Sequence, residues 1–251
     1  MEIKEEIKLN MPQINLSIST PAAIIIGACI IAGAILYTDS PVNLRLRGYD
    51  VNNPGSSVGQ PSPDQAGEEA PVMADVTVGD LPVLGDANAT VVVVEWADFQ
   101  CPFCGRFFSE VEGKLKQEYV DTGKVKFAYR DFAFLGDESK WSANAARCAN
   151  DQGKFWQYHD YLFTHQSGEN QGAFSKDNLK KFGAAVGLNA VQFNACVDGD
   201  THAAEVEADT TAGQSAGVNG TPATFVNGKL ISGAQPYDQF KQAIEDALAG
   251  N

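Results

Sequence analysis

The sequence predicts an α/β domain: a small sheet entered through a strand–helix–strand unit, interrupted by a block of helices, and closed by a hairpin and a last helix. Three observations carry this reading. ATVVVVEW at Ala89–Trp96 is a short, valine-rich apolar run that suits a strand buried on both faces. After it, Phe107, Val111, Leu115 and Tyr119 recur at every fourth residue, the stripe of an amphipathic helix. Near the C-terminus two strand-like runs flank Asn227-Gly228, a dipeptide that favours a type I′ hairpin turn.

The 251 residues allow one domain plus appendages, and 44% apolar residues allow it a sizeable core. A formal net charge of −14 repels phosphate backbones, so nucleic-acid binding is not expected.

Taken from the N-terminus, the first feature is PAAIIIGACIIAGAILYT, Pro21 to Thr38, uncharged from Ala22 to Tyr37. As a helix this run covers roughly 24 Å, a little short of a hydrocarbon core of roughly 30 Å. Leu16 and Ile18 could extend it. Two readings compete. One is a retained single-pass anchor at 22–38, with residues 1–21 on the cytoplasmic side. The other is a cleavable signal sequence, for which Ala32, Gly33 and Ala34 offer small residues; the protein would then be secreted. Lys4 and Lys8 are mixed with Glu2, Glu5 and Glu6, and apolar residues continue past the small-residue site, which favours the anchor. IGAC at Ile26–Cys29 resembles a lipoprotein cleavage box only loosely, because the apolar run continues beyond the cysteine. Lys4 and Lys8 on one side and Arg45 and Arg47 on the other leave the positive-inside rule close to a tie. Residues 39–75, rich in Pro, Gly, Ser and acidic residues, read as a flexible linker.

The folded domain is placed at 76–251. After the valine-rich strand, CPFCGRFFSEVEGKLKQEYV at Cys101–Val120 forms the amphipathic helix. KVKFAYRDF at Lys124–Phe132 alternates Val125, Phe127 and Tyr129 on one face and makes a second strand, parallel to the first. Ser139–Gln166 reads as one or two helices with Gly153 as a break. SKDNLKKFGAAVG, NAVQFNACVDGD and DTHAAEVEADTTAGQSAG give three more, the last ending at Gly217. TPATFV and KLIS are the hairpin strands. The last helix opens with Pro236 in its first turn and carries Tyr237, Phe240, Ile244 and Leu248 on one stripe. The order β-α-β, a helical block at about 137–216, then β-β-α fits a thioredoxin-like sheet with a helical insertion.

Of five cysteines, Cys29 lies in the apolar run, and the other four suit two pairs. Cys101 falls where the buried strand gives way to the helix, with Pro102 in the first helical turn. The free N–H groups and dipole of that helix end favour a thiolate at Cys101. Cys104, one turn on, is close enough to form a disulfide and more shielded. Cys101 would attack substrate and Cys104 would resolve the mixed disulfide. Two other readings are a metal clip and a purely structural disulfide. A zinc site usually needs a second cysteine or histidine pair. Cys148 and Cys196 stand far apart, and His159, His165 and His202 make no partner motif. No metal and no cofactor are therefore expected.

Glu95 lies in the otherwise apolar strand leading to Cys101, where a carboxylate is costly unless held neutral or given a task. The functional reading is a proton acceptor for Cys104; the other is an edge-facing or salt-bridged residue. In GVNGTPATFVNG, Pro222 opens a strand. Only about 5% of X–Pro bonds in folded proteins are cis. A cis bond here would leave the backbone of Thr221 free to pair with an extended substrate beside Cys101. Cys148 and Cys196 sit on helices of the insertion. A bridge between them in an oxidising compartment would be worth about 4 kcal/mol in the chain-entropy model. The other reading is two buried free thiols.

DLPVLGDANATVVVVEWADFQCPFC, AARCANDQGKFWQYHDYLF, FNAC and GVNGTPATFVNGKLISGAQPYDQF together resemble DsbA-like thiol:disulfide oxidoreductases, most closely their membrane-anchored bacterial branch. The resemblance runs from about Val76 to the C-terminus. It implies a thioredoxin fold with an inserted helical domain, Cys101 as nucleophile, Cys104 as its partner, Glu95 as buried acid and Thr221-Pro222 as the cis-proline loop. It implies work outside the cytoplasm, in the periplasm or at the cell surface, on exported proteins with free thiols. Reoxidation by a DsbB-like or vitamin-K-epoxide-reductase-like membrane protein goes with it. Some branches carry a second pair like Cys148 and Cys196. The redox-tuning residues Pro102 and Phe103 depart from strongly oxidising members, which often have histidine where Phe103 stands. Phenylalanine offers the thiolate no donor and no charge. The leading expectation is a membrane-anchored, monomeric oxidase. A disulfide isomerase or reductase on the same fold is the nearest rival, and the tether in place of a dimerising N-terminal domain favours the oxidase. A non-catalytic metal-binding or chaperone module is the rival of another class.

Overall fold

The structure, a computed structural model, describes residues 76–250. The expected N-terminal segment (1–21), anchor (22–38) and linker (39–75) lie outside the described residues. Among those described, no helix is long and apolar enough to cross a membrane.

The sheet has four strands in the order β2-β1-β3-β4. β1 (Val91–Ala97) lies parallel to β2 (Val125–Asp131) and antiparallel to β3 (Ala223–Val226), which pairs with β4 (Lys229–Ser232). β1 is thus paired on both sides and covered on both faces, which is why it reads as continuous valine rather than as alternation. With a side-chain period of two, Val91 and Val93 face one way and meet Phe107, Val111 and Leu115. Val94 and Trp96 face the other way and meet Ala128, Phe132 and Phe225. The hairpin turn has Asn227 at φ 46° and Gly228 at φ 85°, the two positive values a type I′ turn requires.

α1 runs through residues 102–120, with wider π turns at Phe108–Glu112 and Lys116–Val120. Its stripe of Phe107, Val111, Leu115 and Tyr119 is fully buried, as the spacing predicts. The insertion comprises α2 (Asp137–Asn150), α3 (Phe155–Thr164), α4 (Lys176–Ala185), α5 (Ala190–Asp198) and α6 (Ala203–Ser215). Gly153, at φ +67°, turns the chain between α2 and α3. Phe155, Tyr158, Leu162, Phe174 and Phe193 form the core of this block, which also takes in Phe99, Cys101 and Cys104. A disulfide joins Cys148 on α2 to Cys196 on α5. Buried charge ties α2 and α6 to β2: Arg147 lies 2.7 Å from Asp131 and 2.6 Å from Asp209, which also pairs with Arg130. The last helix, α7 (Tyr237–Leu248), packs Phe240 and Ile244 against α1 and β1. Pro236 stands at its N-cap, one residue ahead of the position read from the sequence, because the extended backbone at Pro236 (ψ 147°) has not yet entered the helix.

Candidate active site

β1 does not run straight into Cys101; a short loop, Asp98–Gln100, comes between. Its backbone is held from several sides. The Asp98 carboxylate accepts from the N–H groups of Gln100 (2.8 Å), Phe134 (3.1 Å) and Leu135 (3.2 Å) and from the Ser139 hydroxyl (2.7 Å). The Gln166 amide donates to the carbonyls of Phe99 (2.6 Å) and Cys101 (2.9 Å). Gln100 is tied in turn to Ser139 and to the backbone of Asn170. Cys101 is therefore positioned as the N-cap of α1, with Pro102 as the first helical residue.

Cys101 and Cys104 are both free thiols. Cys101 keeps 5% of its surface and Cys104 none, so an incoming sulfur can meet only Cys101. The Cys101 thiol donates to the Thr221 carbonyl at 3.4 Å. Its pKa falls from 9.0 to about 6. The hydrogen bond from the Cys104 thiol is the largest cause, opposed by burial, and the Thr221 hydroxyl and the N–H groups of Cys104 and Phe103 add to it. Thr221 Oγ1 has no hydrogen-bond partner among the described residues. Burial, and then the hydrogen bond to Cys101, push the Cys104 thiol well up. One sulfur is thus a thiolate near neutral pH and the other a shielded thiol.

This difference favours the dithiol form. The ionised Cys101 adds stability that is fully present above pH 9 and lost as pH falls through about 6. At pH 7 it amounts to about 1.4 kcal/mol, or about 30 mV toward an oxidising potential.

Glu95 lies on the central strand, not at an edge. It is 1% exposed, and neither of its oxygens has a hydrogen-bond partner among the described residues. The edge-facing and salt-bridged readings of Glu95 do not apply. By strand alternation it shares the face of Val91 and Val93, toward α1. Burial, then the nearby Glu112 and the charge of Cys101, raise its pKa well above the carboxylate range, against the pull of Lys116. Its protonated form is therefore favoured over that of a solvated carboxyl. The Thr221-Pro222 bond is cis, and Thr221 lies against Cys101. Phe103 is 54% exposed, with the Arg106 guanidinium 5.2 Å from its ring centre. Cys148 and Cys196 are bonded to each other within the insertion.

Two groups of described residues gather potential metal-ligand atoms. In one, Cys148 and Cys196 are bonded to each other beside His202. In the other, Glu112, His159 and Asp160, the Lys116 ammonium already sits between the two carboxylates.

Sequence reasoning missed Asp98, Gln100 and Gln166, which hold the loop, and Glu112 and Lys116, which approach Glu95 from α1. The polar pair Asp98 and Gln100 just before Cys101 was the available signal. Glu112 and Lys116 have the i,i+4 spacing of an ordinary surface pair, so nothing in the pattern marks them as buried.

The family model described as Thioredoxin matches residues 77–246. The chain is 32% identical over 184 residues to disulfide bond formation protein D of Bacillus subtilis, covering 71% of this chain and 82% of that protein. The crystal structure of oxidised BdbD from Bacillus subtilis superposes with a TM-score of 0.67 at 31% identity, over 72% of this chain and 99% of that one. A thioredoxin-like oxidoreductase from Silicibacter pomeroyi gives a TM-score of 0.58 at 30% identity, over 66% and 91%. On these matches the chain belongs to the thioredoxin family and is a DsbA-like thiol:disulfide oxidoreductase.

Proposed function

We propose that the domain at 76–251 oxidises thiols of exported proteins outside the cytoplasm, through Cys101 and Cys104. The observation that carries this is the unequal pair of sulfurs: a Cys101 pKa of about 6 beside a fully buried Cys104. In the disulfide form, a substrate thiolate attacks the Cys101 sulfur. The Cys101–Cys104 bond breaks, Cys104 leaves with the electron pair, and Glu95 gives it a proton. A second substrate thiolate then attacks the substrate sulfur of the mixed disulfide and forms the substrate disulfide. Cys101 leaves as a thiolate, a good leaving group because its pKa is low. Two electrons pass from substrate to enzyme, one proton ends on Cys104, and the other goes to solvent. Thr221, ahead of Pro222, offers its backbone to an extended substrate chain, and exposed Phe103 offers it an apolar contact.

Return to the disulfide form needs an acceptor for two electrons, and a quinone-linked membrane protein of the DsbB or vitamin-K-epoxide-reductase kind suits it. The uncharged run at 22–38 and the linker at 39–75 would keep a monomeric domain within reach of such a partner at the membrane. If 22–38 is instead removed as a signal sequence, the domain works untethered.

The reduction potential decides between donor and acceptor of disulfides. Equilibrated with glutathione redox buffers at pH 7, the pair is expected well above thioredoxin's value of about −270 mV, toward the DsbA value of about −120 mV. A potential near −270 mV would make the protein a reductant of exported disulfides.

A further inference from the structure

We propose that Gln166, carried by the helical insertion, is a positioning residue for the Cys101 sulfur, and that position 105 is glycine in order to admit it. This rests on the reading of Cys101 as the attacking thiol.

Gln166 lies just past the end of α3. Near that end, the Phe163 ring centre stands 5.0 Å from that of Phe99 and 5.3 Å from that of Phe108. This packing seats the end of α3 over the loop before Cys101 and the first turns of α1. From there the Gln166 amide reaches two main-chain carbonyls, Phe99 at 2.6 Å and Cys101 at 2.9 Å. An amide nitrogen carries two hydrogens, so one group closes both bonds. The Cys101 carbonyl also accepts from the Gly105 N–H at 3.1 Å. Among the described residues, no other side chain hydrogen-bonds the main chain of Cys101.

The amide oxygen meets Gly105. A Cβ placed there would stand 2.4 Å from Gln166 Oε1, and the three atoms nearest to it all belong to Gln166. Glycine within a helix is less favourable than alanine, and Gly105 has no positive φ to require it. The space it leaves is the space Gln166 fills.

Asp98 and Gln100 hold the loop at other points; Gln166 adds a hold on Cys101 itself. With the N-cap carbonyl fixed from two sides, the N–H groups of Phe103 and Cys104 stay on the Cys101 sulfur and favour its thiolate. Once released, the first turn frays as helix ends do, and the sulfur loses part of that support. The titratable groups acting on Cys101 are Cys104 on α1 and Glu95 on β1, and Glu169, after α3, lines the cleft beside Pro102. Gln166 hydrogen-bonds none of these three, so its effect passes through the backbone.

The test uses the reduced protein and an aromatic disulfide reagent that releases a coloured thiolate, followed by stopped flow. The first release reports attack by Cys101. The second reports Cys104 resolving the mixed disulfide. The readout is the pH midpoint of the first release, because a more basic thiolate is also a stronger nucleophile and partly masks a change in rate at any one pH. Gln166→Ala is expected to raise that midpoint by about one pH unit and to move the equilibrium with glutathione at pH 7 about fivefold toward the disulfide form. Gly105→Ala displaces only the end of a flexible side chain, and alanine is the better helix former. It is expected to raise the midpoint likewise while the melting temperature stays unchanged or rises. In the double variant, Gly105→Ala is expected to add no shift to that of Gln166→Ala. The assignment is overturned if either single variant keeps its midpoint within about 0.2 unit of wild type. A double variant shifted beyond Gln166→Ala, or a Gly105→Ala variant that melts below wild type, also overturns it. Cys101→Ser, run alongside, separates the two claims. If it loses both releases while the other variants keep the wild-type midpoint, the role of Gln166 fails and that of Cys101 stands. If it keeps the first release, the reading of Cys101 fails and the assignment with it.

Discussion

Replacing Glu95 by leucine is expected to slow resolution by Cys104 about a hundredfold at pH 7 while making the protein more stable. The rate loss is that of removing a positioned proton partner. The gain in stability has a separate cause. Glu95 is buried with neither oxygen hydrogen-bonded among the described residues, and such an unsatisfied group costs about 1–3 kcal/mol. The sign of the pH dependence follows from its raised pKa. Below pH 4.5 the carboxyl is protonated in both folded and unfolded chains and ionisation costs nothing. As pH rises above that value the unfolded chain ionises while the folded chain holds its proton, so wild type loses stability relative to the variant. The gain from Glu95→Leu should therefore be larger at pH 7 than at pH 4. Urea unfolding at the two pH values, with stopped-flow measurement of the two thiolate releases, checks both halves. A variant less stable than wild type, or resolving at a similar rate, contradicts the assignment.

Removing the second cysteine pair is expected to act on stability alone. The Cys148–Cys196 bond closes a loop of 48 residues, which the chain-entropy model values at about 4 kcal/mol. For a domain of this size the double variant Cys148→Ala, Cys196→Ala should melt about 8–16 °C lower. The bond lies between α2 and α5, whereas the reactive thiols depend on α1 and Thr221. Release of the first thiolate by Cys101 should thus be unchanged in the folded double variant. A loss below about 1 kcal/mol would mean that the unfolded chain gains little freedom from cutting the bridge.

The elements that were legible are those whose period is set by one burial surface. Phe107, Val111, Leu115 and Tyr119 must all face the sheet, and Asn227-Gly228 must turn a hairpin, so both could be read from spacing alone. Cys101 and Cys104 were legible because their chemistry depends on a local junction of strand and helix. Less visible were groups whose role depends on distant partners. Asp98 collects donors from residues 134, 135 and 139, and Gln166 reaches back to the carbonyls of Phe99 and Cys101. Glu112 and Lys116 have the spacing of a solvated pair but are enclosed by α3, which no local pattern reveals. Arg147 reads as an ordinary helix residue, yet it is buried between Asp131 and Asp209.

The most direct test of the account is the pH dependence of alkylation at Cys101 in the reduced protein, with the labelled sulfur identified by mass spectrometry. The account predicts labelling at Cys101 rather than Cys104, with a rate that rises through a midpoint of about 6. A midpoint near the ordinary thiol value of about 8.5, or equal labelling of the two cysteines, would contradict it.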